Sequence, residues 1–246
     1  MLANPAWVQA AGRFIFRYRN AVFPLVLLSL IVVFPPQPAG GSAAGDRMLD
    51  AFGALLLLCG QGLRVAVIGY AYIRRGGVNK QVYADDLVTQ GFFAVCRNPL
   101  YVGNLLIYGG LLVIHHNPWS YLLGGAFFLF AYRAIVAAEE AFLGEKFGPA
   151  YAEYAARTPR WLPRWSRLPA ATAGMEFNWA RVIVKDYTTA APWMLALLVL
   201  LIRERLSFGT TPLSGGEWTM AAAAASTIAV LWLTARWLKK SGRLKG

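Results

Sequence analysis

Three charged residues, Arg64, Arg97 and Glu139, stand in apolar surroundings where a charge needs a reason. Residues 51–73 are apolar apart from Gln61 and Arg64. A charge near the middle of such a helix costs several kcal/mol unless it finds a partner. Arg64 either runs its stem along the helix towards Arg74 or belongs to an ion pair or a functional site. Gln61, at i−3, lies on the same face and shares whatever polar space Arg64 occupies. Further on, the chain reads Gly91-Phe-Phe-Ala-Val-Cys96-Arg97-Asn98-Pro99-Leu-Tyr101. Asn98 suits an N-cap and Pro99 a first helical turn. A helix start beside Arg97 makes an anion site, and equally a plain helix entry with Tyr101 at the membrane surface.

Glu139 poses the opposite question. Leu143, Phe147, Tyr151 and Tyr154 fall at i, i+4, i+8 and i+11 of one helical face, and Glu139 sits on that face a turn earlier. A carboxylate on a buried face calls for a specific partner, Arg133 or Arg97 being the nearest in kind. Its neighbour Glu140 reads as a solvated acid. Residues 157–164 alternate Arg with Trp and Pro, which bars a helix and suits the lipid headgroup level; Arg160 belongs to this segment. His115 and His116 have no Cys, Asp or Glu near them in sequence and read as an interfacial turn, not a metal site. Cys59 reads as a packing residue, and Cys96 shows no predicted reactivity. No Ser-His-Asp arrangement, phosphate loop or zinc-helix signature is present.

The elements that must position these residues follow from composition. The chain has 246 residues, 57% hydrophobic and 15% charged, against roughly 25% charged in an average soluble domain. That excludes a soluble enzyme, a disordered chain and a disulfide scaffold. A bilayer core needs roughly 20 apolar residues per helix. Residues 20–45, 51–73, 187–202 and 218–235 each supply a span. Residues 98–132 carry no charge but are broken at His115-His116-Asn117-Pro118, which makes them a hairpin of two. The expectation is an all-α, polytopic transmembrane helix bundle of about six spans, which any water-soluble cofactor must meet on its cytoplasmic side. Trp7, Phe14, Phe16 and Tyr18 alternate with Arg13, Arg17 and Arg19, as in an interfacial segment before the first span. No small-residue cleavage site follows, so this is not read as a signal peptide.

The net charge of +12 is mostly orientation. Three basic residues precede the first span, four lie in 74–97, eight in 133–185 and five in 236–245; only Arg47, Arg203 and Arg205 lie in the opposite turns. The bias puts both termini and the segments 74–99 and 133–186 in the cytoplasm. It fits a basic face on anionic lipid without any nucleic acid. The expected location is an inner, cytoplasmic membrane.

From Gly62 to Pro163 the chain resembles the membrane methyltransferases of the isoprenylcysteine carboxyl methyltransferase and phospholipid methyltransferase superfamily. The pieces occur in order: Leu63-Arg64, Gly76-Gly77, Leu87-Val88-Thr89-Gln90-Gly91, and Arg97-Asn98-Pro99-Leu100-Tyr101-Val102-Gly103. A hairpin follows, then Glu139-Glu140-Ala141-Phe142-Leu143, Phe147-Gly148, Tyr151, Tyr154 and Pro159 to Pro163. The resemblance divides the chain into 1–61, a methyltransferase core at 62–165, and 166–246 with a linker and two further spans. It implies that S-adenosylmethionine binds in a cytoplasmic cofactor pocket at Gly91, Arg97, Asn98, Pro99, Tyr101, Gly103, Glu139 and Glu140. Arg64 and Glu139 are then the candidate catalytic residues, and Gln61, Arg64, Tyr151 and Arg160 line the acceptor. The implied reaction is methyl transfer to a lipophilic or lipid-linked acceptor, by carboxylate O-methylation or phospholipid amine N-methylation. Many members have His where this chain has Asn98, so Asn98 is assigned to binding and not to proton transfer. The rival readings are an NADPH-dependent sterol-type reductase, expected to be longer with more spans, and a non-enzymatic transporter or assembly protein, expected to show inverted repeats.

Overall fold

The computed structural model describes residues 5–38, 43–70, 84, 86–209 and 211–244. The Gly76-Gly77 loop, Arg74, Arg75 and Lys80 lie outside the described residues. Within them the chain is helical and forms no strand. Helix α1 spans Ala6–Val33, α2 Ala43–Tyr70, α3 Phe92–Val95, α4 Pro99–Ile114 and α5 Pro118–Arg157. A 3-10 turn at Trp165–Arg167 leads into α6 Leu168–Thr172, followed by α7 Trp179–Phe208 and α8 Gly215–Lys240. Helices α1, α2, α5 and α8 are long and apolar enough to cross a membrane. The shorter apolar α4 and the 30-residue α7 accompany them, in keeping with an integral membrane bundle of about six spans.

The aromatic N-terminal stretch is not a separate interfacial segment. It is the first half of α1, because Val8, Gly12, Ile15 and Phe16 continue the buried stripe that runs on through Phe23, Leu27 and Leu30. That stripe packs antiparallel on α5: Val8 clusters with Ala134 and Ala137, and Phe23 meets Phe127 and Phe128 edge-on at 5.9 and 5.6 Å. The helix ends at the extended Phe34, as Pro35 requires of the residue before it.

Helices α2 and α4 pack antiparallel through paired glycines. A Cβ at Gly60 would lie 2.6 Å from the Gly103 carbonyl oxygen, and one at Gly110 2.6 Å from the Gly53 carbonyl oxygen. Small residues at such crossings let backbones approach where lipid supplies no hydrophobic drive. The hairpin turn forms as expected. Asn117 caps α5 by accepting from the Trp119 and Ser120 amides and donates to the Pro35 carbonyl at 2.7 Å. At 40 residues, α5 extends about 60 Å, twice a bilayer core, so its second half projects beyond the membrane. It kinks where Gly148 adopts a positive φ of 51° before Pro149. Among the described residues helix α8 buries only Ile228 and Ala235 and is exposed over most of its surface, as a helix of this apolar composition can be in a bilayer.

Candidate functional site

Helices α1, α2, α4, α5 and α7 enclose a cavity of about 790 Å³. Phe23, Leu27, Ile107 and Trp193 supply apolar wall, while Arg97, Asn98, Tyr101 and Glu139 gather at one part of the lining. Arg64 and Asn104 line it too, as do three further cations, Arg19, Arg181 and Lys185. The sequence had pointed to Arg64, Arg97, Asn98, Tyr101 and Glu139 from far-apart segments, and the fold brings all five to this one space.

Arg97 is held at the junction of α3 and α4 by the segment that follows α5. Its amide donates to the Pro159 carbonyl at 2.9 Å, the Arg164 amide donates to the Val95 carbonyl at 3.0 Å, and the Tyr154 hydroxyl donates to the Phe93 carbonyl at 2.7 Å. Residues 158–164 are therefore more than an interfacial anchor, although Leu162 and Trp165 are exposed as an anchor requires. Asn98 occupies the N-cap position but makes no cap bond; its side chain donates to the Arg160 carbonyl at 3.1 Å.

Glu140 is buried, not solvated. It accepts from both Nε and Nη2 of Arg160 and lies 3.1 Å from Nη1 of Arg97. One carboxylate thus serves two guanidinium groups. Nε and Nη1 of Arg97 are buried and make no hydrogen bond among the described residues. Buried donors in that state carry a desolvation penalty that a ligand would relieve. Glu139 accepts from the Tyr101 hydroxyl at 2.6 Å, a phenol that the sequence did not single out as its partner. Next to Arg97, the Cys96 thiol donates to the Trp161 carbonyl at 3.3 Å, and burial pushes its pKa up to about 11 against the pull of the Asn98 amide and Arg97.

Arg64 is arranged differently. Nε and Nη2 donate to Asp186 Oδ1, the former at 3.0 Å, and Nη1 donates to Asn104 Oδ1 at 2.6 Å. Gln61 shares the face as expected: it donates to Asp186 Oδ2 at 2.5 Å and accepts from the Trp193 indole at 2.9 Å. Sequence reasoning missed Asp186 and Asn104. Asp186 had been assigned to a cytoplasmic segment, but α7 begins at Trp179 and carries it into the bundle, 3% exposed.

Other expected residues fall elsewhere. A Cβ on Gly103 would meet Arg64 Cγ at 2.7 Å, so Gly103 makes room for the arginine stem and the α2 backbone. Gly91 starts α3 with φ 59°, a conformation that favours glycine. Pro99 is buried at the first turn of α4. Tyr151 packs in a separate cluster with Ala84, Leu143 and Tyr154, and Arg160 reaches the site through Glu140.

Residues 49–150 match the phospholipid methyltransferase family. The chain is 41% identical over 82 residues to a cobalt-zinc-cadmium resistance protein of Cupriavidus metallidurans, covering 33% of this chain and 38% of that one. It is 28% identical over 153 residues to a nickel-cobalt-cadmium resistance protein of Alcaligenes xylosoxydans xylosoxydans, covering 62% and 68%. It is 30% identical over 121 residues to protein-S-isoprenylcysteine O-methyltransferase B of Arabidopsis thaliana, covering 47% and 59%. No solved structure matches.

Proposed function

We propose, from the membership of residues 49–150 in the phospholipid methyltransferase family, that the chain transfers a methyl group from S-adenosylmethionine to a lipophilic acceptor with an anionic head. The observation that carries this reading is the pair of buried Arg97 nitrogens that make no hydrogen bond among the described residues, one of them facing only the shared Glu140, in the wall of a cavity of about 790 Å³. The metal-resistance names of two relatives describe a phenotype and no chemistry, so the acceptor is argued from the cavity.

The residues present fit the cofactor's functional groups. The Arg97 donors suit a carboxylate, with charge-assisted bonds. Glu139 suits an ammonium or ribose hydroxyls, and the Tyr101 ring a cationic sulfur. Glu140 and Arg160 fix where the Arg97 fork points. When bound, the cofactor supplies a methyl group activated by its sulfonium. The protein then provides proximity, orientation and exclusion of water.

Arg64 was expected to orient the acceptor, but its three nitrogens are engaged by Asp186 and Asn104, so its role becomes positioning of α2, α4 and α7 around the cavity. Arg19, Arg181 and Lys185 line the same space and take over attraction of an anionic head, while the apolar walls receive the tail. An acceptor carboxylate is ionised at neutral pH and needs no base; an acceptor amine must first lose a proton, for which Glu139 is the carboxylate in the cavity wall.

Binding of radiolabelled S-adenosylmethionine to the full chain in nanodiscs tests the reading. Saturable binding weakened about 10- to 100-fold by Arg97→Ala is expected, from the worth of hydrogen bonds to charged groups. No binding, or binding untouched by both Arg97→Ala and Glu139→Ala, overturns it. Mass spectrometry of lipids after incubation with labelled donor identifies the acceptor class.

A further inference from the structure

At the end of the bundle away from Arg97, three elements converge: the first turns of α2 with Asp46 and Asp50, the α4–α5 turn with His116, and the last turns of α7 with Glu204. One ligating atom each of Asp50, His116 and Glu204 lies within 4.8 Å of the other two. Their sequence neighbourhoods gave no hint of this, because the three are brought together only by packing.

His116 is the unusual member. Its side chain is 0% exposed, and neither ring nitrogen makes a hydrogen bond among the described residues, nor does Asp50 Oδ1. A buried imidazole with carboxylates beside both nitrogens and a hydrogen bond to neither calls for an explanation. The fold also works to place it. Its φ is +51°, a left-handed conformation that side chains rarely adopt, and the Gln37 amide donates to its carbonyl at 3.1 Å while Asn117 caps the next helix. Nε2 lies 3.2 Å from Asp50, and Nδ1 lies 3.7 Å from Asp46 on the other side. An imidazole facing ligands through one nitrogen and a carboxylate through the other is the arrangement by which outer carboxylates orient metal-binding histidines. A cleft lined by Asp50, Glu204, Phe208 and Thr211 gives access. Arg205 also lines it, but its guanidinium is engaged by Glu217 at 2.8 Å.

We propose that Asp50, His116 and Glu204 bind a divalent transition-metal ion of the Zn²⁺ or Co²⁺ type, with Asp46 orienting the His116 ring. One imidazole nitrogen and two carboxylate oxygens suit these ions; they are too few oxygens for calcium, which takes six or more. The ion ties α2, the hairpin turn and α7 together, and it stands apart from methyl transfer.

The test uses the full chain without a polyhistidine tag, stripped with chelator in nanodiscs and titrated with Co²⁺ and with Zn²⁺. The expected result is one ion per chain by elemental analysis, with ligand-field absorption for Co²⁺. His116→Ala and Glu204→Gln each abolish it, and Asp46→Asn weakens it about 10- to 100-fold. Glu204 is half-buried, so Glu204→Gln keeps a readout if His116→Ala fails to fold. No binding by the wild type overturns the proposal. Unchanged binding in Glu204→Gln overturns it too, by placing the ion elsewhere.

Discussion

Arg64 and Arg97 line one cavity and are equally hidden, at 6% and 7% exposure, yet their surroundings are built on opposite terms. Arg64 faces one carboxylate of its own, and all its nitrogens donate. Arg97 shares Glu140 with Arg160 and keeps two buried nitrogens without a hydrogen bond among the described residues. A buried ion pair is tolerable when its charge is balanced and its donors are used. Arg64 meets both conditions with nothing added, which is the signature of a structural pair. Arg97 meets them only in part: it divides one carboxylate with Arg160 and leaves donors unused among the described residues, which the proposed anion would complete. Burial of a charge does not by itself point to a binding residue; the unfinished set of hydrogen bonds is what sets Arg97 apart and supports the proposal made for it.

The largest effect should come from unbalancing the finished pair. Arg64→Ala leaves Asp186 buried without its counter-charge and with Gln61 as a remaining donor, which should cost about 3–5 kcal/mol. Unfolding of the purified variant in detergent measures it, and Arg64→Met combined with Asp186→Leu should recover most of the loss. A stable Arg64→Ala variant with lost turnover would instead return Arg64 to the chemistry and break the contrast.

Changes at the unfinished site should act on binding more than on stability. Arg97→Lys keeps the charge but loses the planar fork. Donor affinity should fall about tenfold, or 1.4 kcal/mol, while the melting temperature moves less than for Arg64→Ala. Tyr101→Phe removes the hydroxyl that donates to Glu139. It should cost about 1 kcal/mol of donor binding, a several-fold change in an equilibrium binding assay.

Scarcity of charge made Arg64, Arg97 and Glu139 visible in the sequence, and helical spacing placed Glu139 on a buried face. The partners were not visible. Asp186 lies 122 residues from Arg64 and precedes its apolar run, so it looked solvated until α7 was seen to begin seven residues earlier. Glu140 looked like a surface acid because its buried state depends on residues 158–164 folding back over the α3–α4 junction, and the prolines there predict only the absence of a helix. The hairpin turn was legible from His115 to Pro118, but not the convergence of Asp50 and Glu204 on His116. One-dimensional patterns report burial and periodicity; which buried groups meet is decided by helix packing, such as the glycine crossing of α2 on α4.

The smallest effect uses Cys96 to read the charge balance at Arg97 directly. With its pKa near 11, against an ordinary value of about 8.5, roughly one thiol in a thousand is ionised at pH 8. With the exposed Cys59 replaced by alanine, alkylation of Cys96 by a small reagent should therefore keep rising with pH past 9.5, with no plateau near 8.5. The linkage sign is fixed by the same shift: the folded state holds the proton more tightly, so this contribution to stability is complete below about pH 8.5 and is lost as pH climbs towards 11. Glu140→Gln removes the carboxylate that offsets Arg97, and the freed positive charge should draw the alkylation profile to lower pH by less than one unit. The same profile measured in Arg64→Lys should not move, because that charge is balanced by Asp186. If Glu140→Gln leaves the Cys96 profile in place, Arg97 is not the undercompensated member of the pair.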